Sequence, residues 1–206
     1  MDDPERDLRS LLEGPVLEVA PRLLGAVLRR GEVAVRLTEV EAYDGPNDPG
    51  SHAYRGMTRR NAVMFGPAGH LYVYFTYGMH HCCNVACGPA GRASAVLLRA
   101  GEVVAGHDVV RQRRPRSSDR DLARGPARLC QALAIDRADD GADLAQGPIL
   151  LEPAPSAPPA RIRTGPRVGL RDAADRPWRF WLDGEPSVSP YRPAKPPRAR
   201  SVPPVG

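Results

Sequence analysis

Lysine is nearly absent from this chain. Lys195 is the only one, and every other cationic side chain apart from five histidines is arginine. A GC-rich genome produces most of that bias without function, yet it removes one chemistry. Residues 1–194 hold no side-chain amine that could form a Schiff base. Cysteine is sparse as well: Cys82, Cys83, Cys87 and Cys130 lack the density and spacing of a secreted disulfide framework. No apolar run approaches the roughly 20 residues that span a bilayer. The N-terminal M-D-D-P-E-R-D is acidic and has no apolar stretch of the kind a signal peptide needs. These absences lead us to expect a cytoplasmic protein with no membrane partner.

What is present suits one domain of ordinary size. The 206 residues are 42% hydrophobic and 26% charged, with a formal charge of +5. A pI near 9.3 favours a polyanionic partner, although basic proteins without one are common. The 23 prolines crowd after Gln146. We expect a flexible charged lead-in over residues 1–14, a domain over 15–188 and a Pro/Arg-rich mobile tail over 189–206.

Periodicity supplies the elements. Val16 to Leu28 recurs at helical spacing, with Pro21 best placed in a first turn and Gly25 as a stop. Val33–Tyr43 is rich in β-branched residues and reads as a strand. Asp44–Gly50 is turn chemistry, and Thr58–Gly66 suggests one or two helical turns capped by Thr58. Leu71–Tyr77 and Cys82–Cys87 predict a hairpin across Gly78. Ala93–Arg99 reads as a buried strand and Glu102–Arg114 as a helix leading into an exposed basic loop. Pro126 opens a helix over 125–134. Three late strands are predicted at 149–152, 161–163 and 179–182. Strands and helices without βαβ alternation argue for an α+β fold.

Chemistry concentrates between Thr38 and Asn84. Glu39 and Glu41 share one face of a strand that runs into a turn. Such a pair is often a solvated edge, but a carboxylate delivered to a loop can also activate water against an acetal-like carbon. His52 comes after the turn, where a lone histidine is more often a surface residue. Tyr43, Tyr72, Tyr74 and Tyr77 are four of the six tyrosines. Core packing is the ordinary explanation for an aromatic strand, while an aromatic beside a hairpin glycine can also enter a base stack. His80-His-Cys-Cys invites a metal reading, but successive strand residues point to opposite faces and no C-x-x-C pair supports it. We therefore expect no metal and no cofactor.

Longer motifs carry a resemblance. E-V-E-A-Y-x-G-x-x-D-P-x-S-H, G-x-T-x-R-N-x-x-M-F and G-x-L-Y-V-Y-x-x-Y-G-M-x-x-C-x-N occur in that order. After them come A-V-L-L-R-A-G-E, G-P-A-R-L-C-Q-A-L-A-I-D and G-P-R-V-G-L. Together, over roughly Val19 to Val188, they resemble bacterial members of the alkyladenine (3-methyladenine) DNA glycosylase family. The resemblance implies a single mixed α/β domain with a mostly antiparallel curved sheet, surrounding helices and a protruding β-hairpin. It also implies a monofunctional enzyme, expected as a nucleoid-associated monomer, that hydrolyses the N-glycosidic bond of alkylated or deaminated purines in double-stranded DNA.

By matching motif, Glu41 would be the general base and Arg99 would help position the attacking water. Tyr43, His52 and Tyr74 would hold the flipped base, Asn84 would lie on the pocket floor, and Tyr77 would fill the gap in the duplex. Arg59, Arg60, Arg111, Arg113 and Arg114 are candidates for phosphate contacts. His80, His81, the 88–92 loop and the proline-rich end depart from the family pattern without touching Glu41. Two other functions fit the same fold: a lesion-binding protein without catalysis, and a bifunctional glycosylase/lyase, which the missing lysines disfavour.

Overall fold

The computed structural model describes residues 4–76, 78–154 and 159–194. Helices α1 (Pro4–Leu12) and α2 (Val16–Arg22) precede strands β1 (Val27–Arg30) and β2 (Val33–Tyr43). A loop region with two short 3-10 turns leads to β3 (Leu71–Thr76), β4 (His80–Ala86) and β5 (Ala95–Ala105). Then come α3 (His107–Arg113), α4 (Pro126–Leu133), β6 (Leu150–Glu152), β7 (Ile162–Gly165) and β8 (Arg179–Leu182). Among the described residues the eight strands form one curled antiparallel sheet, ordered β3-β4-β5-β2-β1-β6, with β8 on β2 and β7 on β8. The α+β expectation holds.

β2 is the spine. It pairs with β5 along one edge, while the other edge is shared by β1 at residues 33–36 and β8 at residues 39–41. Val33, Val35 and Leu37 belong to the main core. Strict alternation would send Glu39 and Glu41 into the same apolar layer. Register shifts on either side of Glu39 prevent this, and Val40 and Ala42 take the core positions instead. The bulge thereby turns both carboxylates to the opposite face, a common use of bulges next to functional sites.

The other strands repeat this two-faced pattern. Leu71 and Val73, Cys83 and Val85, and Val96 and Leu98 face the core. Tyr72 and Tyr74, Cys82 and Asn84, and Leu97 and Arg99 face away from it. Helices cover the core side: Leu8, Leu11 and Leu12 of α1, Val16 and Val19 of α2, and Leu129 and Leu133 of α4 are all buried. Each of these leucines contributes roughly 1.5–3 kcal/mol by leaving water. Pro126 sits at the first turn of α4, as expected.

Several local expectations need correction. The lead-in expected to be flexible contains α1, whose leucines at i, i+3 and i+4 pack into the core. Pro21 lies in the last turn of α2 rather than the first. Val27 and Leu28 leave the helical pattern to form β1, because β2 and β6 offer backbone partners on both sides. Glu102–Ala105 extends β5 along β2, so α3 starts only at His107. Thr58 caps nothing: its backbone N–H and its hydroxyl both donate to Asn61 Oδ1. Within the expected tail, residues 189–194 have a defined course and Ser189 is buried. Residues 195–206 and Tyr77 lie outside the described residues.

Candidate active site

The outward face of β3, β4, β5 and β2 floors a cavity of about 370 Å³. Glu41, Tyr43, Tyr72, Tyr74, Cys82, Asn84, Leu97 and Arg99 line it from the strands. Gly50, Ser51, His52 and Met64 close it from the loop after β2, and Val168–Leu170 close it from the loop after β7.

Glu41 is fully buried, yet it borders the cavity. Both its oxygens are engaged. Tyr43 Oη donates to Oε2 at 2.9 Å, and the Val168 N–H donates to Oε1 at 2.8 Å. Arg99 Nε stands 3.6 Å from the same Oε1. Glu39, equally buried, holds Arg99 Nε more closely at 3.0 Å and receives Arg179 Nε at 2.5 Å. Ser189 adds its N–H at 2.7 Å and its hydroxyl at 3.0 Å to Glu39. Two buried carboxylates thus face two buried guanidiniums, an arrangement that needs every partner in place.

The aromatic wall is built from three rings. Tyr72 and Tyr74 lie two residues apart on β3, 5.7 Å between centroids. His52 meets Tyr74 edge-on at 4.6 Å and its Nδ1 lies 3.1 Å from Tyr72 Oη. Asn61 fixes this loop by donating to the carbonyls of His52 and Gly56. His52 is an exposed residue, as a lone loop histidine was expected to be; partial burial of its ring, then the Arg60 charge, lowers its pKa below the ordinary 6.5. Burial, then the charge of Glu41, raises the Tyr43 pKa well above 10, so this phenol remains a neutral donor to Glu41. Burial likewise raises Tyr74. Asn84, on the floor, donates from Nδ2 to the Tyr72 carbonyl at 3.2 Å.

Behind Tyr43 stands a buried ion pair that sequence reasoning did not find. Arg167 forks onto Asp48 at 2.5 and 2.7 Å, and its guanidinium packs over the rings of Tyr43 and Trp178. It does not border the cavity. The G-P-R-V-G-L motif was the available signal, since it carries both Arg167 and Val168.

The structure brings Glu41, Tyr43, His52, Tyr74, Asn84 and Arg99 to one cavity. The candidate phosphate contacts are more dispersed. Arg59 and Arg60 are exposed, and Arg60 lies over the Tyr74 ring at 5.7 Å. Arg111 is held by Asp108 and Asp119, Arg113 by the Ala132 carbonyl, and Arg114 by Gln131 and Ser117. Arg113 and Arg114 tie the end of α3 to α4, Arg111 ties α3 to the segment after it, and none of the three lines the cavity.

A buried carboxylate thus borders a ring-walled cavity in a basic protein. A family model described as methylpurine-DNA glycosylase matches residues 10–186. The chain is 57% identical over 202 residues to a protein of Streptomyces avermitilis, covering 94% of this chain and 95% of that one. Over 181 residues it is 61% identical to one of Nocardia farcinica, covering 84% and 85%. A Leifsonia xyli protein is 60% identical over 191 residues, 85% of this chain and 88% of that one. All three carry the provisional name 3-methyladenine DNA glycosylase. This chain belongs to the methylpurine-DNA glycosylase family: it is a DNA glycosylase, a hydrolase of N-glycosyl bonds.

Proposed function

We propose that the protein excises alkylated purines such as 3-methyladenine from double-stranded DNA without lyase activity; a neutral deaminated purine would leave by this route only once it is protonated. The observation that carries this reading is Glu41, fully buried yet bordering a cavity walled by Tyr43, His52 and Tyr74. A volume of about 370 Å³ is at the small end of the roughly 300–1,000 Å³ typical of ligand sites. It suits one extruded base and no polymer.

In this mechanism the damaged nucleotide leaves the stack and its base enters between the Tyr43, His52 and Tyr74 side chains. Tyr77 would occupy the vacated space in the duplex. Glu41 orients a water molecule and takes its proton as the oxygen attacks C1′ of the deoxyribose. The C1′–N bond breaks, its electron pair leaves with the purine, and an abasic site remains. N3- or N7-alkylation makes the purine cationic, so the departing pair neutralises it and little acid assistance is needed. A cationic ring also gains from electron-rich tyrosine faces, and normal purines cost more to unstack. Arg99 steadies Glu41 and the water, and Asn84 crowds the 2-amino group of normal guanine. Arg60, which lies over the Tyr74 ring, and the exposed Arg59 would contact phosphates.

The test is excision from duplexes carrying 3-methyladenine, 7-methylguanine, hypoxanthine or ethenoadenine. Release of free base, with strand cleavage only after added alkali, supports the reading. Tight binding with no base released from any duplex would move the assignment to a lesion-binding protein. A borohydride-trapped protein–DNA adduct would move it to a lyase.

A further inference from the structure

The family match ends at residue 186, and composition alone assigns residues 189–206 to a tail. Residues 187–192 are nevertheless bound to the site at several points. Ser187 Oγ lies 2.9 Å from Thr38 Oγ1, at the bulge that re-aims Glu39 and Glu41. Arg124 Nε donates to the Val188 carbonyl at 2.8 Å. Gly169 N–H donates to the Arg192 carbonyl at 3.0 Å, next to Val168, whose N–H holds Glu41.

Ser189 is the centre of this segment. Its N–H and hydroxyl donate to the two oxygens of Glu39. Its hydroxyl oxygen accepts from Arg99 Nε at 3.2 Å, and its carbonyl accepts from Arg179 Nη2 at 2.7 Å. The hydroxyl therefore uses its single proton on a carboxylate and a lone pair on a guanidinium. Arg99 Nε stands between two carboxylates, 3.0 Å from Glu39 and 3.6 Å from Glu41. Without the Ser189 hydroxyl, Glu39 loses a donor and draws Arg99 towards itself, away from Glu41.

We propose that Ser189 is a positioning residue for base excision, and that residues 187–192 form a clamp fixing both partners of Glu41 Oε1, Arg99 and Val168. This rests on the assignment of Glu41 as the residue that activates water. Ser189 touches neither the water nor the base. It acts by dividing Arg99 between the two carboxylates.

The experiment uses the full chain as wild type, Ser189→Ala, Ser189→Thr and Glu41→Gln. Single-turnover release of 7-methylguanine is measured with enzyme in excess and expressed per folded molecule, alongside affinity for an ethenoadenine duplex. Ser189→Ala is expected to slow release about tenfold or more, the scale of a lost hydrogen bond to a charged group. Its DNA affinity should stay within about twofold, because the lost bonds do not face DNA. Ser189→Thr, which keeps the hydroxyl, should recover most of the rate. Wild-type release by Ser189→Ala overturns the proposal, as does a loss explained by less folded protein or a folded Thr variant as slow as Ala. If Glu41→Gln is inactive while Ser189→Ala is normal, only the clamp falls. If Glu41→Gln excises normally, the reading beneath it falls as well.

Discussion

Replacing Arg167 by Met should cost a large part of the stability of the fold. Arg167 and Asp48 have no side-chain exposure, and their fork is supplemented by a bond from Arg167 Nη1 to the Ala42 carbonyl. After Arg167→Met, Asp48 would retain the Gly50 N–H at 3.0 Å and Arg176 at 3.9 Å. Breaking a buried pair from one side costs about 3–5 kcal/mol, because the other charge stays buried without compensation. Against a typical total of about 5–15 kcal/mol that is roughly a fifth at least. For a chain of this length it corresponds to roughly 6–20 °C in Tm. Asp48→Asn should cost a similar amount, leaving the guanidinium with one carbonyl and two aromatic rings. The double variant Asp48→Asn/Arg167→Met should cost less than the sum by about 0.5–3 kcal/mol. Urea unfolding monitored by circular dichroism measures all three. Costs that add within about 0.5 kcal/mol would refute the view that the two residues act as a pair.

Three further outcomes are expected. His52 has a lowered pKa, so the unfolded chain takes up its proton first as pH falls; its contribution to stability is present above 6.5 and lost below. The decline in Tm below that pH should therefore be shallower in His52→Gln. Burial raises the Cys82 and Cys87 thiols to about 11, so iodoacetamide at neutral pH should leave both unmodified until the chain is denatured. Arg60→Ala should flatten the salt dependence of DNA affinity by roughly one unit of log–log slope, whereas Arg111→Ala, whose charge Asp108 and Asp119 already hold, should change it little. Equal slopes for the two variants would count against a phosphate contact by Arg60.

Local patterns made much of the fold legible. Val33–Tyr43, the hairpin about Gly78 and the Pro126 helix each carry their signal within a dozen residues. Val27–Leu28 and Glu102–Ala105 misled because helical spacing competes with backbone pairing to β2, which only the folded chain supplies. The bulge was visible in principle: apolar residues occupy 33, 35 and 37 and then 40 and 42, a change of parity at Thr38. Most site residues were reached through motif resemblance, and the strands then explain why they meet. Tyr72 and Tyr74, Cys82 and Asn84, Leu97 and Arg99, and Glu39, Glu41 and Tyr43 are alternate residues on one face. The supporting pairs were not legible. Asp48 and Arg167 are 119 residues apart and Glu39 and Ser189 are 150 apart; Glu39, Asp48 and Arg167 lie within the quoted motifs, but nothing local shows which residue each one pairs with.

In the proposed mechanism Glu41 activates the water that releases the base. The most direct test is single-turnover release of 7-methylguanine by wild type and by Glu41→Gln, with the affinity of each for the same duplex. The rate for Glu41→Gln should fall about 10²–10⁴-fold, the usual range for removing a general base, with binding retained. Base release by a folded Glu41→Gln at the wild-type rate would contradict it.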